Sequence, residues 1–142
     1  MRLRDIITLL EGRSVFPEAN LDLDITSACG ADLMSDVLAF VHSGSLLLTG
    51  LTNPHVIRTA EVVEVAAIVL VRGKIPPKET TDLAREKGIP IILTPHTLFE
   101  CSGRLYKAGV ESCDVQGEAR QHADELVHHY LQDSSCLAPQ GG

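Results

Sequence analysis

The sequence contains no tryptophan, only 4% aromatic residues, and 12 lysines and arginines against 19 aspartates and glutamates. With so few rings, a core has to be built from Val, Ile, Leu and Ala, the composition of sheets covered by helices. The net charge of −7 has the wrong sign for tracking a phosphate backbone, so nucleic-acid binding is not expected. No apolar run approaches the roughly 20 residues that span a bilayer. The N-terminal MRLRDIITLLEG is broken by Asp5 and Glu11 and is followed by no small-residue cleavage site, so it reads as an amphipathic helix and not as a signal peptide. A soluble cytoplasmic protein with no membrane partner is the expectation. The four cysteines, Cys29, Cys101, Cys113 and Cys136, form no Cys-x-x-Cys pair and match no iron–sulfur spacing, which points to free thiols. There is no G-x-x-x-x-G-K-[ST], because the one Gly-Lys, Gly73-Lys74, is followed by Ile75, and no G-x-G-x-x-G occurs. These absences exclude a P-loop ATPase. No cofactor and no catalytic constellation are expected.

What remains is the pattern of one α/β domain plus a tail in 142 residues. A first helix is predicted over Leu3–Leu10, stopped by Gly12. DLDITSA, Asp22–Ala28, alternates like a strand. Three compact apolar runs follow: SLLLTG (Ser45–Gly50), AAIVLVRG (Ala66–Gly73) and IPIILT (Ile89–Thr94). Each precedes a helical pattern, as parallel strands buried on both faces do. Asn53-Pro54, Pro76-Pro77 and Thr97 mark the helix starts, and Gly88 one of the ends. In SACGADLMSDVLAF, Ser27–Phe40, a strand ends, Gly30 turns the chain, Asp32 or Ser35 caps a helix, and Leu33, Met34, Val37 and Leu38 form its buried side. A last helix is predicted over Glu118–Leu131, and SSCLAPQGG as a disordered tail.

In an open parallel sheet, ligands bind beyond the carboxyl ends of the strands. That rule selects Thr49, Gly50, Thr52 and Asn53 after one strand, Arg72, Gly73 and Lys74 after the next, and Thr94, His96 and Thr97 after a third. Hydroxyls, close-approach glycines and two cations in one place suit a nucleotide or other small anionic ligand. Each residue also has a structural role open to it as a cap, a turn or a solvated charge. Cys29, at a helix start, is a candidate reactive thiol, with an inert buried cysteine as the alternative.

The segments SACGADLMSDVLAFVHSGSLLLTG, TNPHVIRTAEVVEVAAIVLVRGKIPP and AREKGIPIILTPHTLFECSGRLYKAG, in this order, resemble the DRTGG domain family, in particular small stand-alone members found in anaerobic bacteria near hydrogenase and signalling genes. The resemblance covers about Leu3–Val110. It implies a mostly parallel sheet of four to five strands flanked by helices, similar to the N-terminal domains of HPr kinase/phosphorylase and of Mur ligases. The implied division is a DRTGG-like domain over 1–110, a helical extension over 111–132 and a tail over 133–142. The resemblance also implies a non-catalytic regulatory or interaction domain, a homodimer, and a protein partner in a hydrogenase or signalling system. An alternative is a redox or metal-binding accessory protein of a hydrogenase system using Cys29 with Cys101 or Cys113. The signature itself is altered: Leu51-Thr52-Asn53 stands where Asp-Arg is expected, and Val71-Arg72-Gly73 where Thr-Gly-Gly is, leaving Gly73 as its one clear survivor.

Overall fold

The structure is a computed structural model that describes residues 1–113 and 116–132, with side chains described up to 113 and from 123 onward. The chain runs α1 (Leu3–Leu9), β1 (Arg13–Ser14), β2 (Ser27–Gly30), α2 (Met34–Phe40), β3 (Leu46–Thr49), α3 (Pro54–Val63), β4 (Ala67–Leu70), α4 (Lys78–Lys87), β5 (Ile91–Leu93), α5 (Leu98–Lys107), β6 (Glu111–Ser112) and α6 (Gln116–Gln132). Six strands form one sheet in the order β1-β5-β4-β3-β2-β6, parallel except for β1. Three of the four inner strands, β3, β4 and β5, lie within the apolar runs expected from the sequence, and the two edge strands have two residues each, too short to show a period.

Alternation along the inner strands explains the three layers. Leu46, Leu48, Ala67, Val69 and Ile92 point to one face, where Leu3, Ile6 and Leu10 of the α1 region and Cys101 and Leu105 of α5 cover them. Leu47, Ile68, Leu70 and Ile91 point to the other, under α2, α3 and α4. With both faces dry, β3 and β4 read as unbroken apolar runs. Burying each such aliphatic side chain contributes about 1.5–3 kcal/mol. Gly88 ends α4 in the left-handed conformation at φ 69°, which glycine adopts without a Cβ penalty.

Several expectations are corrected. The strand placed at Asp22–Ala28 lies at Ser27–Gly30, because the backbone of residues 21–25 is taken up by the N-terminus: Leu3 N–H donates to Leu23 O, Arg4 N–H to Leu21 O and Ile25 N–H to Met1 O. Leu33 and Leu38 are exposed, since the seven-residue α2 packs through Met34 and Val37 alone. Neither Asp32 nor Ser35 caps it. Glu111–Ser112 add a short edge strand beside β2. From Ala123 to Gln132 every residue of α6 is exposed. The tail expected over 133–142 lies outside the described residues. No described helix is long and apolar enough to cross a membrane.

Candidate functional site

The fold selects one part of the sheet's carboxyl edge. α4 follows β4 on one face while α5 follows β5 on the other, so the chains leaving these adjacent strands diverge. Such a divergence is where ligands bind in open α/β sheets. The loops flanking it are Val71–Pro77 and Thr94–Thr97, which hold six of the ten expected site residues.

The two loops are joined by backbone. Arg72 and Gly73 both have positive φ, 60° and 66°, and Lys74 N–H donates to Val71 O at 3.2 Å, closing a tight turn. Arg72 N–H donates to His96 O at 2.7 Å and Gly73 N–H to Thr94 O at 2.9 Å. The turn amides are therefore occupied, and what Arg72 and Lys74 offer a ligand is their side chains. Thr94 is buried, donating to Leu10 O at 2.7 Å and accepting from His96 N–H at 3.2 Å. Thr97 caps α5, accepting from Glu100 N–H. Both threonines hold the loop's shape.

The remaining four residues lie one strand over. Thr49 is fully buried and donates to Asp32 Oδ1 at 2.9 Å, and Gly50 N–H donates to the same oxygen at 2.7 Å. Asp32 thus fastens the β3 loop. A Cβ on Gly50 would lie 3.1 Å from Arg72 Nη2 and 3.6 Å from Asp32 Oδ2, so glycine leaves room for the guanidinium and carboxylate to approach. Thr52 contributes its carbonyl, which accepts from Thr80 Oγ1 at 2.6 Å. Asn53 is the exposed N-cap of α3 and makes no side-chain capping bond.

His96 faces Glu11, with Nε2 3.2 Å from Oε1, an oxygen that also accepts from Arg104 Nη1 at 3.2 Å. His96 and then Arg104 hold the Glu11 carboxyl below the usual range. Arg104 also reaches Glu100 at 2.9 Å and Leu9 O at 3.0 Å, tying α5 to the end of α1.

Beside this cluster lies a cavity of about 350 Å³ lined by Glu11, Arg13, Lys74, Ile75, Leu93 and Pro95, among others. Arg13 is brought there by β1, which pairs it with Leu93 at the carboxyl end of β5. Arg13 and Glu11 were not legible as site residues, because a two-residue antiparallel edge strand leaves no periodic signal. Among the described residues, Arg13, Arg72 and Lys74 form no ion pair. A cavity with apolar walls and cations at its rim accommodates a planar or apolar body carrying negative charge.

Cys29 differs from the activated thiol considered above. Burial pushes it well above the ordinary thiol range, with the neighbouring Cys113 adding to the shift. No cluster of three or more His, Cys, Asp or Glu side chains able to hold a metal occurs among the described residues.

The model of the DRTGG domain matches residues 5–108 of this chain. Among solved structures, the chain is similar to the CBS and DRTGG domains of the regulatory region of Clostridium perfringens pyrophosphatase, complexed with its activator diadenosine tetraphosphate. The TM-score is 0.59 at 19% identity, over 80% of this chain and 51% of that one, so this chain spans about half the length of its neighbour. At that identity the likeness shows the fold. No curated protein matches the chain.

Proposed function

The chain belongs to the DRTGG domain family, and from that premise we propose that it is a non-catalytic regulatory domain that senses a small polyanion, a nucleotide in first place, at the carboxyl ends of β4 and β5. The observation that carries this reading is the cavity at the carboxyl ends of β4 and β5, to whose lining β1 brings Arg13 and the β4 loop brings Lys74, while Arg72 of the same loop reaches toward Gly50 on the β3 side of the rim. In an acidic chain, side chains without an ion-pair partner at such a point are placed to meet a ligand's charge. The apolar Ile75, Leu93 and Pro95 would face the ligand's uncharged part. A second copy of the chain is the proposed assembly partner: α6 carries Leu126, Val127 and Leu131 exposed, a stripe suited to burial against another copy.

Thermal-shift titration with adenine and guanine nucleotides, dinucleoside polyphosphates and plain phosphate tests the reading. A ligand at a hundredfold excess over its dissociation constant adds about 2.7 kcal/mol of stability. A saturable shift that Arg72→Ala and Lys74→Ala each weaken at least tenfold, with unliganded midpoints unchanged, is the expected result. A shift indifferent to both substitutions would refute the site. No shift across the panel would leave the domain as a protein-interaction module.

A further inference from the structure

A second cavity, about 480 Å³, wraps the opposite edge of the sheet, between α2, α5 and β6, and both Cys29 and Cys113 line it. The sheet register brings them together. β2 and β6 pair in parallel with Ser27 opposite Glu111 and Ala28 opposite Ser112, so the next pair in register is Cys29 and Cys113. Cys113 N–H donates to Ala28 O at 2.9 Å, carrying the ladder up to that position. Side chains at matched positions of neighbouring parallel strands project to the same face, and strands lie about 4.8 Å apart. That spacing falls within the Cα separation of about 4.4–6.8 Å that a disulfide spans. Cys29 is half-buried and Cys113 is 7% exposed, and both lie on the wall of this cavity. Cys101, fully buried on the inner face of α5, is the internal contrast.

We propose that Cys29 and Cys113 form a cross-strand dithiol, a modification site at which low-molecular-weight disulfides generate a Cys29–Cys113 bond. The Cys29 thiolate attacks one sulfur of the small disulfide, forming a mixed disulfide and releasing one small thiol, which carries off the proton Cys29 gave up. Cys113 then loses its proton, attacks the Cys29 sulfur and expels the second small thiol. Two protein thiols are oxidised and one small disulfide is reduced to two thiols. The bond would fasten β6, a two-residue strand, to β2 just before the chain continues into α6. Because burial disfavours the Cys29 thiolate, exchange is slow near neutrality and accelerates as pH rises.

The test treats the native full-length chain, and a Cys101→Ser/Cys136→Ser variant, with oxidised glutathione at pH 8, followed by alkylation and non-reducing peptide mapping. A peptide pair joined through Cys29 and Cys113, with loss of both thiols, is the expected product. In the same background, Cys113→Ser should retain a persistent glutathione adduct on Cys29 that the parent does not accumulate. If both thiols stay free, or if each carries its own glutathione with no intramolecular link, the proposal is overturned. The unsubstituted chain gives the same readout should the variants fail to fold.

Discussion

Removing the Asp32 carboxylate should loosen the β3 loop while making the rim more attractive to anions. Asp32 Oδ1 accepts from Thr49 Oγ1 at 2.9 Å and from Gly50 N–H at 2.7 Å, and Thr49 is fully buried. In Asp32→Ala, Gly50 N–H can turn to water, but the Thr49 hydroxyl loses its acceptor. A stranded hydroxyl costs about 1–3 kcal/mol, and the exposure of Asp32 brings water near enough to place the loss at about 1–2 kcal/mol. For a chain of this size that is a fall in Tm of about 3–8 °C. Asp32→Asn keeps an acceptor oxygen and should lose less than about 1 kcal/mol. A double-mutant cycle with Thr49→Val should return a coupling of about 1 kcal/mol, read by urea unfolding with unchanged m. The same Asp32→Asn change deletes a negative charge beside the Arg72 guanidinium and should tighten nucleotide binding a few-fold. Refutation is simple to recognise: if Asp32→Ala stays within about 0.5 kcal/mol of the parent, it is an ordinary surface substitution and the loop is held by something else.

Gly12→Ala should destabilise by about 1–3 kcal/mol, since a Cβ there would meet Ile92 Cγ2 and Leu93 O at 2.9 Å, the latter an immovable backbone atom. Gly103→Ala, in the middle of α5 with open space around the added methyl, should stabilise by about 0.5–1 kcal/mol in the same unfolding assay. Glu11 has a folded-state pKa below its ordinary value, so its contribution is complete above the unfolded pKa of about 4.3 and is lost as pH falls through the folded one. Glu11→Gln should therefore flatten the acid limb of the stability–pH curve below that value while leaving its neutral region's slope unchanged. Leu126→Asp combined with Leu131→Asp should shift the sedimentation coefficient from dimer toward monomer with the far-UV spectrum of the body retained.

The inner strands were legible because nothing competes with them. LLLT and AIVL carry a single polar residue, the buried Thr49 at the end of its strand, and the turn residues Gly50 and Gly73 follow them. The segment at Asp22–Ala28 shows the opposite case. Its alternation is real, with Ile25 buried and Asp24 exposed, yet backbone groups of Leu23 and Ile25 bond to the N-terminal residues, and β2 begins only at Ser27. Periodicity reports which side chains are buried, not which backbone groups are paired. Asp32 failed for a related reason: a carboxylate just ahead of a helix reads as a cap, and only the three-dimensional approach of β3 supplies a better set of donors. Within the site, Arg72, Gly73 and Lys74 stood out because they follow a strand directly, whereas Arg13 arrives through an antiparallel edge strand some 60 positions earlier in the chain.

An excess of acidic residues sharpens the meaning of an unpaired cation. With 19 carboxylates for 12 lysines and arginines, acidic partners outnumber the cations they could meet. Arg4 finds Asp22, Lys78 finds Asp82, Arg85 finds Glu18, Lys87 finds Glu61 and Arg104 finds Glu100 and Glu11. Surface pairs of this kind contribute about 0–1 kcal/mol each, so stability does not account for the distribution. Among the described residues, Arg58 and Lys107 also lack an ion pair, but Arg58 lines a cavity with the carboxylates of Glu79, Asp82 and Glu86, and Lys107 is an exposed residue at the end of α5. Arg13 and Lys74 come from β1 and the β4 loop to line one cavity, where the Glu11 carboxylate is already engaged by His96 and Arg104. Two cations without an ion-pair partner thus share one cavity of an otherwise acidic chain. Under the proposed reading, that contrast would favour a compact anion close to the strand ends over an extended polyanion, which the surrounding acidic charge repels.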